Sequence, residues 1–116
     1  MIRTFVVSIA MALTYGPASA ELKTLNGEEI AALLPTIIAL SPQSRQTFSA
    51  TGPTIYTDRG RDTFGSWRVQ GDKYCSEWPP AGGWSCYAVE YDAETATLTW
   101  IDGGGHRTVN TVQPKN

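Results

Sequence analysis

Lys73-Tyr74-Cys75-Ser76-Glu77-Trp78-Pro79-Pro80-Ala81-Gly82-Gly83-Trp84-Ser85-Cys86-Tyr87-Ala88-Val89-Glu90-Tyr91 decides how this chain folds. Two runs rich in aromatic and β-favouring residues flank a Pro-Pro-Ala-Gly-Gly breaker, which is the signature of a β-hairpin. Cys75 and Cys86 are the only cysteines of the chain. If they face each other, paired positions sum to a constant: Tyr74 then opposes Tyr87, Lys73 opposes Ala88 and Glu77 opposes Trp84. Strand neighbours alternate faces, so the Tyr74–Tyr87 pair lies on the face opposite the disulfide.

The pattern continues in both directions. Upstream, Gln46-Thr47-Phe48-Ser49-Ala50 and Thr54-Ile55-Tyr56-Thr57 flank a Thr-Gly-Pro turn, and Asp58-Arg59-Gly60-Arg61-Asp62 reads as a charged turn. Gly65-Ser66-Trp67-Arg68-Val69-Gln70 alternates, with Trp67 and Val69 on one face, and Gly71-Asp72 turns the chain. Downstream, Thr97–Ile101 and His106–Val112 flank Asp102-Gly103-Gly104-Gly105. Short strands with a turn signal every eight to twelve residues predict an antiparallel meander of about six strands, able to curl into a small barrel or half-barrel. The expected class is mainly β (α+β), with one helix ahead of the meander.

That helix is expected within Glu21–Leu34. Asn26 with Glu29 three residues later has capping-box spacing. Ile30, Leu33 and Leu34 then make one apolar face. Pro35 should end or kink the helix. Beyond it, Thr36–Leu40 fits either a buried strand or a continuation of the helix, with a break at Pro35 favoured.

Residues 1–20, MIRTFVVSIAMALTYGPASA, have the layout of a secretory signal peptide: a basic Arg3, an apolar run from Phe5 to Leu13, a Gly16-Pro17 break and the small residues Ala18-Ser19-Ala20. The apolar run is too short to span a bilayer, which takes roughly 20 residues. Residues 21–116 are then expected as one small β domain, periplasmic or secreted, with no membrane span after cleavage. In an oxidising compartment Cys75 and Cys86 are expected to form a disulfide rather than a redox-active pair.

Nine basic and eleven acidic residues in 116, with a pI of about 5.2, leave no polybasic footprint for nucleic acid. Two cysteines cannot fill a four-ligand zinc site, and Asp58, Asp62 and Asp92 lack EF-hand spacing, so no metal or cofactor is expected. Gly103-Gly104-Gly105 is followed by no helix start and no Lys-Ser/Thr pair, so it is not a phosphate loop. Gly65-Ser66-Trp67 lacks the second glycine of a nucleophile elbow. His106 is the sole histidine, and no motif selects a hydroxyl and carboxylate partner for it, so no catalytic residue is assigned.

Trp67, Trp78, Trp84 and Trp100 fall within 34 residues of one another. Trp67 and Trp100 sit mid-strand and are expected in the core. Trp78 and Trp84 flank the hairpin tip and are the candidate partner-binding residues. Arg59 and Arg61 of the charged turn form a second candidate docking surface.

The segments Gly65-Ser66-Trp67-Arg68-Val69, Gly71-Asp72-Lys73-Tyr74-Cys75 and Cys86-Tyr87-Ala88-Val89, with the opening Leu25-Asn26-Gly27-Glu28-Glu29-Ile30, give a layout that resembles small exported proteins of unknown function found in alphaproteobacteria. The resemblance implies a periplasmic β domain with one disulfide and brings no catalytic residues. The expected function is a non-enzymatic binding or protein-interaction module for an unknown periplasmic protein or small ligand. The alternatives are a protein-inhibitor-like domain acting through the Trp78–Trp84 loop and a small hydrolytic enzyme using His106.

Overall fold

A computed structural model describes residues 22–116; the expected signal peptide lies outside the described residues. The chain is mainly β. Strand β1 (Leu22–Thr24) leads into helix α1 (Gly27–Leu33), a 3-10 turn (Leu34–Thr36) and eight further strands: β2 (Ile37–Ser41), β3 (Ser44–Phe48), β4 (Pro53–Asp58), β5 (Arg61–Gln70), β6 (Lys73–Trp78), β7 (Ala81–Asp92), β8 (Thr97–Ile101) and β9 (Arg107–Pro114). From β2 to β9 each strand pairs antiparallel with its predecessor, and β9 returns to β2 through Ile37↔Pro114, Ala39↔Val112 and Leu40↔Thr111. The expected meander is therefore an eight-stranded closed up-and-down barrel. Closure removes the exposed strand edges that an open sheet of this size would present.

Helix α1 is shorter than the sequence predicts. Leu22–Thr24 is a strand, paired with Glu90–Asp92 of β7 beyond the point where β6 ends. The helix itself begins where expected. Asn26 Oδ1 accepts from the Glu29 amide at 2.9 Å, and the Asn26 amide donates to Glu29 Oε1 at 2.8 Å. Exchange of Asn26 for alanine removes half of this reciprocal cap. It should lower the urea midpoint by the equivalent of about 1 kcal/mol, and an unchanged midpoint would show that packing alone holds the helix start. Pro35 tightens the last turn to 3-10 geometry, and Ile37 starts β2 with extended backbone. The break at Pro35 holds, and Ile37–Ser41 is a strand.

The helix closes one end of the barrel. Gly27 donates to Asp72 Oδ1 at the β5–β6 turn (2.9 Å), and Leu25 donates to the Val89 carbonyl (2.9 Å). Ile30 and Leu34 are fully buried with Phe48, Val89 and Leu98. The turns on this side are β3–β4, β5–β6 and β7–β8. Antiparallel alternation puts the four other turns, β2–β3, β4–β5, β6–β7 and β8–β9, at the opposite end, which α1 does not cover.

Cys75 and Cys86 are bonded (S–S 2.02 Å) and stand in register, as do Tyr74 and Tyr87, whose rings stack at 5.9 Å. The expected register fails past Ser76. Ser76 faces Ser85, but Trp78 faces Ala81, so Glu77 stands opposite three residues, Gly82–Trp84. Gly83, at φ 101°, supplies the backbone conformation this bulge needs. Two further corrections concern the turns. The β6–β7 connection is Pro79-Pro80 alone, rather than a five-residue loop, and the β4–β5 connection is Arg59-Gly60, with Arg61 and Asp62 already in β5.

Candidate functional site

Along each barrel strand alternate residues face inward. The inward register runs Ala39↔Gln46↔Tyr56↔Thr63 on one side of the barrel. On the other it runs Trp67↔Ser76↔Ser85 and Val89↔Trp100↔Thr108. Read from the helix end to the open end, the interior changes character. Ile37, Phe48, Trp67, Val89 and Leu98 fill the closed half. The open half encloses a cavity of about 440 Å³, within the range of small-molecule sites and consistent with the single ligand that an eight-stranded barrel can hold.

Five aromatic residues line this cavity: Tyr56, Tyr74, Trp78, Tyr87 and Trp100. The other lining residues are hydroxyls and amides: Ser41, Ser44, Gln46, Thr63, Ser76, Thr108 and Asn110. None of the twelve carries a formal charge at neutral pH, and none is aliphatic.

The floor is built from stacked rings. Tyr74 lies 4.4 Å from Trp100 with nearly parallel planes and also stacks on Tyr87. Phe48 supports this layer from below, edge-on to Tyr74 at 5.7 Å and to Trp100 at 6.1 Å. A polar chain crosses the same floor. Gln46 Nε2 donates to Thr54 Oγ1 (3.0 Å) and to Tyr74 Oη (3.1 Å), and Thr54 Oγ1 donates to the Thr47 carbonyl (2.8 Å). Burial pushes the Tyr74 phenol above its ordinary pKa, partly offset by hydrogen bonds from Ser76 and Gln46, so the ring keeps its proton.

Trp78 forms the rim. It is half-buried, donates from Nε1 to Ser76 Oγ at 3.1 Å and meets Tyr56 edge-to-face at 6.2 Å. Its indole lies against Gly65. A Cβ at that position would stand 2.6 Å from the ring and 2.5 Å from the Glu77 carbonyl oxygen. Gly65 is thus the seat of Trp78, a role the sequence alone did not reveal.

The structure separates the two candidate tryptophans of the hairpin tip. Trp78 faces the cavity, whereas Trp84 lies on the outer surface with the Arg68 guanidinium 4.0 Å from its ring centroid. Cys75 stands opposite both Arg68 and Cys86, so the disulfide also belongs to the outer layer. Arg59 and Arg61 are exposed beside the open end, at the β4–β5 turn, where Arg59 pairs with Asp58 at 2.9 Å. They do not line the cavity. His106 is exposed in the β8–β9 turn. The Asp102 carboxylate there accepts from the backbone amides of Gly104 and His106, both at 2.9 Å, and these bonds hold its pKa below the usual range. Among the described residues no group of three His, Cys, Asp or Glu is placed to hold a metal ion, and no helix is long and apolar enough to cross a membrane.

Sequence reading did not single out Gln46, Tyr56, Tyr74 or Ser76 as site residues. The available signal was the alternation itself: Ser44-Gln46 and Tyr74-Ser76 place polar or amphipathic residues on the face that carries Phe48 and Trp67. Fold and cavity together define the class, a small closed β-barrel with one plugged end and one open, uncharged aromatic mouth. Comparison with known proteins finds no protein family, no curated protein and no solved structure that matches the chain.

Proposed function

We propose that this protein is an exported, non-enzymatic binding module that takes a small uncharged molecule into the open end of its barrel. The observation that carries the reading is the lining of the 440 Å³ cavity, five aromatic residues with seven hydroxyl or amide residues and no charge. Such a surface offers ring faces for stacking and many weak hydrogen-bonding groups. It offers no counter-ion for a charged ligand and no aliphatic wall for a hydrocarbon tail. The lining also holds no carboxylate, imidazole or thiol, the groups on which acid–base and nucleophilic catalysis most often rest. Export is supported by the layout of residues 1–20 and by the disulfide, which suits an oxidising environment. The two-residue β6–β7 turn supports this reading over an inhibitor-like one, because it leaves little loop to enter a partner's cleft.

The positions of the tryptophans provide the test. Trp78 and Trp100 line the cavity and Trp84 lies outside it. In a 15N–1H spectrum of the protein from residue 21 onward, a panel of neutral mono- and disaccharides, phenols, benzamides and cyclic amides should include compounds that shift the Trp78 and Trp100 indole signals while Trp84 stays unmoved. A Trp78→Ala variant that keeps its disulfide and far-UV signal should bind the same compounds roughly ten-fold more weakly. Silence at Trp78 and Trp100 across the whole panel would end the proposal.

A further inference from the structure

The hydrogen bonds of the cavity floor determine which of its polar atoms are free. Thr54 has one hydroxyl hydrogen, and it is committed to the Thr47 carbonyl at 2.8 Å. In its contact with Gln46 Thr54 can therefore only accept, which identifies the Gln46 atom at 3.0 Å as the amide nitrogen. The second hydrogen of that nitrogen goes to Tyr74 Oη at 3.1 Å, so Tyr74 accepts there; the Tyr74 and Ser76 hydroxyls are also hydrogen-bonded to each other, which uses one of their two hydrogens and leaves the other open. Both Gln46 hydrogens are engaged, and among the described residues no donor is bonded to its Oε1. Gln46 is 8% exposed and Tyr74 3%, and both line the cavity. Buried polar groups are nearly always paired, and leaving a carbonyl acceptor and a hydroxyl donor open side by side costs stability unless something meets them.

We infer that the barrel binds its ligand through a ring-borne cis-amide edge, an N–H directly beside a C=O, as found in lactams, imides, cyclic ureas and the corresponding edge of a nucleobase. The ligand N–H donates to Gln46 Oε1, and the ligand C=O accepts from the open hydroxyl of the Tyr74–Ser76 pair. The open groups sit on two different side chains and so mark two separate points. A rigid donor–acceptor edge meets both at once, whereas a single sugar hydroxyl presents both functions at one atom. A flat ring carrying this edge can lie against the indoles of Trp100 and Trp78. The absence of charge in the lining removes carboxylate and guanidinium ligands from contention. This inference deepens the reading of the cavity as a binding site and rests on it.

The test uses the wild-type protein, so no variant need fold. Imidazolidin-2-one carries the N–H/C=O edge. Its N,N′-dimethyl derivative keeps the carbonyl and the ring but has no N–H. Binding is read from the Trp78 and Trp100 indole signals and the Gln46 side-chain amide signal, with uracil and glucose as further arms. Imidazolidin-2-one is expected to bind at least ten-fold more tightly than the dimethyl compound, as loss of a buried hydrogen-bond partner implies, and more tightly than glucose. Uracil binding as well would extend the class to nucleobases; uracil failing while the cyclic urea binds would confine it to smaller rings. Gln46→Leu, checked for its disulfide and far-UV signal, should abolish the preference for the unmethylated ring, because it removes the acceptor of the ligand N–H. Equal affinity for the two ureas, or tighter binding of glucose, would overturn the cis-amide inference and leave the cavity reading standing. Silence at all three cavity signals with every compound of the neutral panel would overturn both.

Discussion

Replacing Phe48 by alanine should lower the unfolding free energy by about 3–5 kcal/mol, the range for a large aromatic deleted from a packed core. Phe48 has no exposed surface and sits at the junction of the two halves of the barrel. Its ring meets Trp67, Tyr74 and Trp100 edge-on at 5.7, 5.7 and 6.1 Å, and each such pair adds about 0.5–1.5 kcal/mol beyond the area it buries. A domain this small has a total stability of only about 5–14 kcal/mol, at roughly 0.05–0.15 kcal/mol per residue. The variant should therefore lose between about a fifth and all of its stability. Phe64→Ala is the control, because that ring points outward from β5 and is 64% exposed. Its urea midpoint should stay near wild type, within about 0.5 kcal/mol. Equal shifts for the two variants would show that the inward and outward faces of β3 and β5 are wrongly assigned. Phe48 also carries the stacked floor above it, so Phe48→Leu, a milder cavity, should weaken ligand binding at the floor while the barrel survives.

The difference between these two phenylalanines was partly legible in the sequence. Alternation in Gly65–Gln70 places Trp67 and Val69 together on the inner face, and the same period assigns Tyr74 and Ser76. The hairpin register could be counted from the cysteines, and it holds from Tyr74 to Ser76. It fails beyond Ser76 because the bulge at Gly83 changes the count of residues without changing their types. What the bulge hid was the pairing at the tip, where Trp78 stands opposite Ala81 and Glu77 does not pair with Trp84; alternation alone already sets Trp78 on the Tyr74 face and Trp84 on the disulfide face. Strand β2 was ambiguous for a different reason. Ile37, Ile38 and Ala39 are all buried, so the strand shows a continuous apolar run in place of alternation. Strand β1 has three exposed residues and no periodicity to read. Closure through Ile37↔Pro114 joins segments at opposite ends of the described chain, and such a long-range pairing leaves no local signal. The site was hidden for a related reason: a glutamine such as Gln46 looks the same in sequence whether it faces water or a barrel interior. Only the closed register, which sets Gln46 beside Tyr56 and Ala39, shows its place.

Reduction of the Cys75–Cys86 bond should cost about 3 kcal/mol, nearly as much as the loss of Phe48. The chain-entropy estimate for a loop of this length, with the cysteines eleven positions apart, sets that size. The effect should extend beyond stability. The bond ties β6 to β7 one residue from the Tyr74–Tyr87 stack. Past Ser76 the ladder is interrupted by the bulge, and the next pair, Trp78↔Ala81, is already at the rim. The disulfide is thus the firm lower boundary of the segment that carries Trp78. Without it, the cavity rim should open more readily than the closed half, which Ile30, Leu34 and Phe48 hold independently. Urea unfolding with and without a reductant should give midpoints separated by about 3 kcal/mol, and a Cys75→Ala/Cys86→Ala variant should match the reduced protein and ignore the reductant. Amide exchange in the reduced protein should quicken first in Glu77–Cys86 and last around Val89 and Leu98. Identical midpoints, or uniform quickening across the barrel, would mean that barrel closure alone fixes the hairpin.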